Sequence, residues 1–298
     1  MNPLESGFLL LTSQLGNPER KPLTVSQFRT LAARVRASDI SPEDRELTAE
    51  DLLVLGFSRE MALRIVKLLE ERQVLEYYLS RAGRNGCAVL TRAGERYPLA
   101  VRKRLGDDSP GSLWAKGDIS LLTTPMVSLV GSRDLNTDNK AFAAEVGRQA
   151  AIQGYTLVSG NARGADKTAQ ESCLAAGGCV VCVVADSLEK HKQRARVLFL
   201  SEDGFDCGFS SQRALSRNRI IHSLGQMTFV AQSSLGTGGT WDGTVKNLQS
   251  GWNPVFCYDD GSKAMGEMDM LGAHLIKVER LADFGKLYDE NVDLSIAL

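Results

Sequence analysis

Residues 126–133 read MVSLVGSR and residues 155–166 read YTLVSGNARGAD, and each run joins an apolar stretch to a glycine-containing turn. Short apolar stretches rich in β-branched residues are typical of buried parallel strands. A helical pattern follows each turn, so both runs predict the order strand, tight turn, helix. That geometry brings backbone N–H groups and a helix amino terminus to one place, where they can bind an anion.

The alternation of strand and helix patterns continues to the carboxyl end of the chain. Strands are predicted at residues 126–130, 155–158, 179–185, 227–231, 254–258 and 274–278. Helices are predicted between most of them, at residues 138–153, 165–176, 212–224, 241–250 and 264–271. Six strands with crossover helices predict an α/β fold, a doubly wound and mostly parallel sheet. Ligands of such sheets bind beyond the carboxyl ends of the strands, where the strand order reverses.

The sequence divides into three segments that differ in their predicted secondary structure. Residues 1–80 predict a helical domain, residues 81–125 a mixed connector leading into the core, and residues 126–298 the domain that binds DNA or a nucleotide. The helical domain resembles a SAM-like or helix-hairpin-helix bundle, although a plain helical packing module is an open alternative.

Helix start and stop signals support the helical domain. Ser41–Asp44 (SPED) and Thr48–Asp51 (TAED) are typical of helix starts, with proline or an acidic residue in the first turn. Gly56 predicts the end of one short helix, and a second is expected to begin near Ser58.

Composition and charge exclude some functional classes. The 298-residue chain is 43% hydrophobic and 24% charged, as soluble globular proteins are. It lacks an apolar run of about 18 residues, and its amino-terminal FLLL is short and follows Glu5, so we expect neither a membrane span nor a secretory signal. We therefore expect a cytoplasmic protein. The formal net charge of −1 excludes a uniformly basic surface, but residues 190–222 carry seven basic against three acidic residues.

The cysteines and histidines predict no metal centre. Cys179 and Cys182 have the C-x-x-C spacing, yet they lie within a predicted strand. Residues three apart on a strand point to opposite faces, so these thiols are expected to be buried core groups. The three histidines are scattered along the chain. We predict no metal, no cofactor and no catalytic residue.

Phosphate contacts are predicted first at the two strand-end turns. Arg133 can reach over the crevice to a phosphate, or can form a buried ion pair. Ser159 and Gly160 let a ligand approach the backbone closely. Arg163 faces either the phosphate or solvent. Asp166 is expected to cap the following helix or to hold Arg217 or Arg219, rather than to catalyse.

Two further segments extend the predicted site. Arg217 and Arg219 point to different sides of one helix, so one is expected to reach phosphate and the other the loop of Asp166. The basic run 190–196 is either a solvated face or a DNA contact, and loop 234–240 can bind phosphate or base edges. Trp241 either stacks a base or packs in the core. The predicted DNA- or phosphate-binding residues are Ser132, Arg133, Ser159, Gly160, Arg163, Lys190, Lys192, Arg217, Asn218, Arg219, Gly238, Gly239 and Thr240, with Asp166 as structural support.

Five motifs in one order give the chain a family resemblance. They are VSLVGSR (127–133), LVSGNARGAD (157–166), Gly177-Gly178, Ser201-Glu202 and RNRII (217–221), preceded by Tyr97-Pro98 and LWAKGD (113–118). Over about residues 95–280 the sequence resembles the DNA-processing protein A (DprA/Smf) family. The resemblance implies an extended Rossmann-like domain that binds single-stranded DNA, forms a homodimer and helps load a RecA-type recombinase in transformation or recombination. It also implies a SAM-like domain before the core.

The sequence departs from the family pattern at several positions. Gln170 stands where the family has histidine, and Ala231-Gln232-Ser233 replaces a Glu-Ala pair. The loop Thr237–Trp241 also differs, and no segment after about residue 285 has the length of the family's winged-helix tail. These differences indicate a divergent member and leave its role in transformation open.

A second functional class also fits the strand-end motifs. A nucleotide sensor, in phage defence for example, or a phosphoribohydrolase-like enzyme belongs to the same superfamily. The phosphoribohydrolases carry a catalytic glutamate in a P-G-G-x-G-T-x-x-E motif, and Gly243 occupies that position here. Without a carboxylate, cleavage of the N-glycosidic bond lacks its acid–base group, so the sequence favours a protein that is not an enzyme. A scaffold whose amino-terminal helices bind a protein is a third alternative.

Overall fold

The chain divides into two units in this computed structural model, which describes residues 1–40 and 46–296. The first unit comprises Met1–Tyr97, Pro110–Trp114 and Glu202–Cys207. The second comprises Pro98–Ser109, Ala115–Ser201 and Gly208–Leu298. The predicted start signal at Ser41–Asp44 lies outside the described residues.

Five helices and one strand form most of the described part of the first unit. They are α1 (Pro3–Thr12), α2 (Val25–Arg36), α3 (Ala49–Val54), α4 (Arg59–Glu70), α5 (Arg72–Arg84) and β1 (Cys87–Thr91). The hydroxyl of Thr48 accepts the Asp51 N–H at 3.2 Å to start α3, and Ser58 accepts the Met61 N–H at 3.2 Å to start α4. Gly56 turns the chain between them with a φ of +80°. These are the helix boundaries that the capping residues and the glycine predict.

The first unit buries two apolar clusters. One is contributed by α1 to α4 and the α1–α2 loop, and consists of Leu11, Leu23, Leu31, Leu52, Ala62, Ile65 and Leu68. The other is aromatic, with the rings of Tyr78, Trp114 and Phe205 centred 5.0–5.5 Å apart. Phe205 lies within residues 126–298, which the sequence assigned to the α/β domain. Only the folded chain shows that its segment belongs to the helical unit.

The second unit holds the sheet and the remaining helices. Its strands are β3 (Met126–Val130), β4 (Thr156–Ser159), β5 (Val180–Val183), β6 (Val197–Glu202), β7 (Thr228–Val230), β8 (Val255–Tyr258) and β9 (His274–Ile276). The chain passes from the first unit to the second within β2 (Ser112–Gly117), and from the second to the first at the end of β6. The helices are α6 (Leu99–Leu105), α7 (Thr137–Ile152), α8 (Ala165–Ala175), α9 (Ser211–Ser216), α10 (Asn218–Leu224), α11 (Gly239–Ser250), α12 (Lys263–Met270) and α13 (Phe284–Ile296).

The strands of the second unit are parallel and their order reverses once. They run in the order β6-β5-β4-β3-β7-β8-β9, and all six neighbouring pairs are parallel. Strand β3 lies between β4 and β7, with Ser128 in register with Val158 on one side and Thr228 on the other. This confirms the predicted doubly wound, Rossmann-like α/β fold. The reversal beside β3 is the point at which such sheets bind ligands.

Two features of the second unit differ from the sequence prediction. Strand β6 was not expected, because the connection from β5 contains no α-helix and so breaks the alternation of strand and helix. The single helix predicted at 212–224 is two helices, α9 and α10, joined at Arg217. In the part of the chain that the structure describes, no helix is both long and apolar enough to cross a membrane.

Candidate phosphate-binding site

Three loops meet at the carboxyl ends of β3, β4 and β7. The Ser132 carbonyl accepts the N–H of Ala165 at 3.1 Å, and the Ser132 N–H donates to the Gln232 carbonyl at 2.9 Å. A β-carbon at Gly131 would lie 2.5 Å from that of Ala165 and 3.2 Å from that of Ala231. Glycine is therefore required at 131 for the three loops to approach one another.

Arg217 is buried in this crevice with unused hydrogen-bond donors. Its relative exposure is 8%, and its guanidinium lies against Gly160, where any β-carbon would overlap it. Its side chain forms no hydrogen bond with a described residue, and its Nε is buried without a partner. Burial lowers the pKa of Arg217, whereas the nearby Asp166 charge raises it. A guanidinium with free donors at a strand-end crevice is suited to bind phosphate oxygens.

Asp166 supplies the opposing charge beneath the β4 loop. It lies in the first turn of α8 with 6% exposure, and its carboxylate accepts the Ala162 N–H at 3.1 Å. Burial raises its pKa, while the charges of Arg217 and Arg133 and the backbone N–H groups lower it. The carboxylate thus shapes the loop after Gly160 and partly balances the buried arginine.

Arg133 and Arg163, the two loop arginines, have different surroundings. Arg133 is exposed, its side chain donates no hydrogen bond within the described chain, and its charge acts on both Asp166 and Arg217. Arg163 donates to the carboxylate of Asp134 at 2.7 Å in an ion pair whose side chains are both exposed. Arg133 therefore acts on the buried pair Asp166 and Arg217, whereas Arg163 forms an ion pair with Asp134 at the surface.

The RNR run separates its two arginines. Arg219 donates to the carbonyl of Asp108 at 3.2 Å and to that of Ser216 at 2.7 Å, so it ties α10 to the segment after α6. Of the two, Arg217 is the one near Asp166. Asn218 donates its amide to the Gly239 carbonyl at 2.9 Å and so holds the start of α11.

The start of α11 lies exposed beside this group. Gly238 has a φ of +90°, no side chain caps the helix, and Gly239 and Thr240 are half-exposed. The first N–H groups of an uncapped helix can receive an anion. Trp241 is also half-exposed.

The basic run on the β5–β6 connection is exposed. Lys190, Lys192, Arg194 and Arg196 all face solvent. Among them, Arg194 acts electrostatically on Cys182, as Arg217 does. Burial, and then the Asp166 charge, raise the pKa of the Cys182 thiol to about 12. Arg194 was part of the basic run but not of the predicted site list, and its charge acts on a thiol that the charges of Asp166 and Arg217 also affect.

Arg213 and Gln170 support the site from inside. The guanidinium of Arg213 donates to the Ala185 carbonyl at 2.7 Å and to the Ser201 hydroxyl at 2.8 Å, and so joins the ends of β5 and β6. It lies one helical turn before Arg217, whose backbone N–H donates to the Arg213 carbonyl at 3.0 Å. Gln170 is buried and donates its side-chain amide to the Ser159 hydroxyl, which places this hydroxyl within the protein.

Gly243 is a packing position between α10 and α11. A β-carbon there would lie 3.2 Å from both the Asn218 β-carbon and His222 Nε2. The fully buried His222 accepts the Asn247 amide at Nδ1, 3.1 Å away, and burial lowers its pKa to about 3. Any side chain at this position would therefore begin in tight contact with α10. Across residues 1–40 and 46–296, no three His, Cys, Asp or Glu side chains are grouped so that they could hold a metal ion.

Comparisons with known proteins show which family the sequence matches. The family model of DNA recombination-mediator protein A matches residues 88–260. Protein Smf of Escherichia coli K12 is 28% identical over 142 residues, which are 44% of this chain and 38% of that protein. DNA processing protein DprA of Streptococcus pneumoniae is 30% identical over 145 residues, 44% of this chain and 50% of that protein. The matched part thus spans half or less of the length of these relatives.

Solved structures share the fold. The crystal structure of DprA from Streptococcus pneumoniae superimposes with a TM-score of 0.70 at 21% identity, covering 94% of this chain and 97% of that one. DNA processing protein A from Helicobacter pylori, whose structure concerns its single-stranded DNA binding mode, gives a TM-score of 0.57 at 22% identity. The superimposed region covers 68% of this chain and 96% of the Helicobacter pylori chain.

Proposed function

The chain belongs to the DNA recombination-mediator protein A family, and from this premise we propose that it is a mediator that binds single-stranded DNA. The observation that carries the proposal is Arg217, a nearly buried guanidinium that donates no hydrogen bond to any described residue. Burying such a group costs free energy unless a ligand completes its hydrogen bonds. A backbone phosphate at the strand-end crevice would do so.

The neighbouring groups suit the same ligand. Arg133 adds a second guanidinium from the exposed side, and Gly160 gives the Arg217 guanidinium room against the loop after β4. The uncapped start of α11 adds backbone N–H donors at Gly239 and Thr240. These contacts read phosphate rather than base edges, so we propose binding with little sequence preference.

Single strands fit the crevice better than duplexes do. Bound phosphate must approach a guanidinium that is 8% exposed, which a flexible single strand can do and a stiff duplex cannot. The Helicobacter pylori relative, whose structure concerns single-stranded DNA binding, supports this choice of ligand.

A second candidate is a nucleotide sensor, because one nucleoside phosphate could also pair with Arg217. We propose that neither ligand is hydrolysed, since Gly243 packs against α10 where a catalytic glutamate would have to lie. Glycine has no side-chain group that could act as the acid–base catalyst of N-glycosidic cleavage.

The family premise extends the proposal to partners. We propose a cytoplasmic homodimer that contacts through the later helices near residues 241–285 and that helps load a RecA-type recombinase onto single strands, in transformation or recombination. Light scattering at micromolar concentration tests the dimer. A particle with the mass of one chain that still binds DNA would contradict it.

Fluorescence anisotropy across a salt series tests the main proposal. Four to six phosphate contacts imply a log–log salt slope of roughly −3 to −4 for single strands, at about −0.7 per contact. We expect a labelled oligothymidylate to bind more tightly than its duplex with oligodeoxyadenylate, and a mononucleotide to compete weakly. Equal affinity for both strand forms, or a slope near zero, contradicts the proposal. Strong competition by the mononucleotide favours the sensor.

A further inference from the structure

A separate cavity lies within the first unit. It has a volume of about 400 Å³ and is lined by the loop after α1, by α4 and by the start of α5. Its charged lining consists of Arg20, Lys21, Arg64 and Lys67 against Glu19 and Glu71. The cavity is therefore net positive in a chain whose formal charge is −1.

Two arginines build the walls of this cavity. Arg20, whose side chain is 4% exposed, donates to the Glu71 carboxylate at 2.6 Å and to the Leu10 carbonyl at 2.5 Å. Arg64 donates to the backbone carbonyls of Lys21 and Pro22 at 3.0 and 2.9 Å. Both arginines attach the loop to the helices, and Arg20 also neutralises Glu71.

Two lysines are left to act on a ligand. Lys21, on the loop, and Lys67, on α4, are both exposed, and neither ammonium group contacts an acceptor within the described residues. They occupy separate walls of one concave surface, where their fields add. Such a pair suits the oxygens of a phosphodiester chain.

An exposed tyrosine adds a second kind of contact. Tyr77 lies on α5 one turn after Val74, which lines the cavity, and it is 64% exposed. An aromatic face beside a basic groove is the combination that binds single-stranded nucleic acid, since bases stack while phosphates pair with cations. An acidic peptide would use the lysines and leave the ring unused.

We propose that this cavity and Tyr77 form a second contact for single-stranded DNA, with phosphates on Lys21 and Lys67 and a base stacked on Tyr77. The inference rests on the proposed function, because it assumes that the strand also binds at Arg217. It assigns the helical unit a direct part in holding DNA.

The lysines are tested with oligothymidylates of two lengths, about 8 and about 40 nucleotides. The Lys21→Ala/Lys67→Ala variant of the full chain should bind the long strand several-fold more weakly, with a salt slope smaller by about 1.4. The short strand, which fills only the Arg217 site, should bind as before. The matched control, Lys103→Ala/Lys140→Ala, removes the same charge from two exposed lysines elsewhere.

Tyr77 is tested by substitution and by cross-linking. Tyr77→Ala should weaken binding of the long strand about fivefold or more, whereas Tyr77→Phe keeps the ring and should bind like wild type. Irradiation of an iododeoxyuridine-substituted strand should produce an adduct at Tyr77, identified by mass spectrometry.

The outcomes separate this inference from the function that it assumes. Wild-type affinity and salt slope in the double lysine variant, or adducts confined to the second unit, overturn the second contact while the Arg217 site stands. Wild-type affinity of Tyr77→Ala for the long strand, with no adduct at Tyr77, overturns the stacking contact and with it the proposed site. Failure of the wild-type chain to bind even the short strand removes the proposed function itself.

Discussion

The guanidinium of Arg217 occupies the space beside the α-carbon of Gly160 in which any other residue would place its β-carbon. Gly160 follows β4, and Arg217 lies between α9 and α10, so two segments remote in sequence meet through the absence of one methyl group. This contact holds the arginine against the loop whose backbone a phosphate would approach.

Replacing Gly160 by alanine should therefore displace Arg217. We expect Gly160→Ala to weaken single-strand binding by about 1–3 kcal/mol, as loss of a charged hydrogen bond does, and to cost about 1–3 kcal/mol of stability through overpacking. Anisotropy and thermal unfolding measure the two effects. Gly266→Ala is the control, because a β-carbon at Gly266 within α12 meets no atom within 4 Å, and it should leave stability unchanged or slightly raised. Wild-type affinity in folded Gly160→Ala would contradict the assignment.

Replacing Arg217 by lysine should separate binding from stability. Lysine keeps a positive charge beside the buried Asp166 carboxylate but lacks the planar guanidinium, and the native guanidinium has no protein hydrogen bond to lose, so we expect the unfolding free energy to change by no more than about 1 kcal/mol. Binding of single strands should fall by about 1–3 kcal/mol. Arg133→Ala should give a similar loss of binding, whereas Arg163→Ala, which breaks an exposed ion pair, should lose less. A larger loss of binding in Arg163→Ala than in Arg133→Ala would show that Arg163, rather than Arg133, contacts the strand.

His222 should make the chain sensitive to acid. Its folded pKa is about 3 because it is buried, whereas the unfolded chain has the ordinary value of 6.5. Between these pH values only the unfolded state takes up the proton, so the free energy of unfolding should fall as the pH falls below 6.5, by up to about 1.4 kcal/mol per pH unit. Urea unfolding at several pH values should show a shallower dependence in His222→Asn, which keeps an acceptor for Asn247. Parallel curves for the two proteins would contradict this assignment.

Restoring a glutamate at Gly243 should not create a hydrolase. The new β-carbon would lie 3.2 Å from Asn218 and His222, so we expect Gly243→Glu to be destabilised by about 1–3 kcal/mol or more. Neither it nor the wild-type chain should release free base from nucleoside monophosphates, as followed by chromatography. Steady base release by the wild-type chain that is lost on Asp242→Asn would overturn the proposal that the protein is not an enzyme.

The parts of the fold that the sequence predicted have local causes. Apolar β-branched runs, capping residues and strand-end glycines act within a few residues, which is why β3, β4, β7, β8 and β9 and their helices lie close to the predicted positions. The same local logic predicted a phosphate site at the β3 and β4 turns, and the structure brings these two turns together. Strand β6 was missed because no helix precedes it, so its signal depends on pairing with β5.

By itself, the sequence determined the class of sheet and the loops that carry the candidate site, because hydrophobic periodicity and turn preferences depend on residues that are close in sequence. Only the tertiary structure decided how those loops are used. Arg217 and Arg219 are two positions apart, yet one lies against Gly160 and the other donates to the Asp108 carbonyl. Their roles depend on which distant backbone each guanidinium meets, and a contact between remote segments leaves no pattern in either segment.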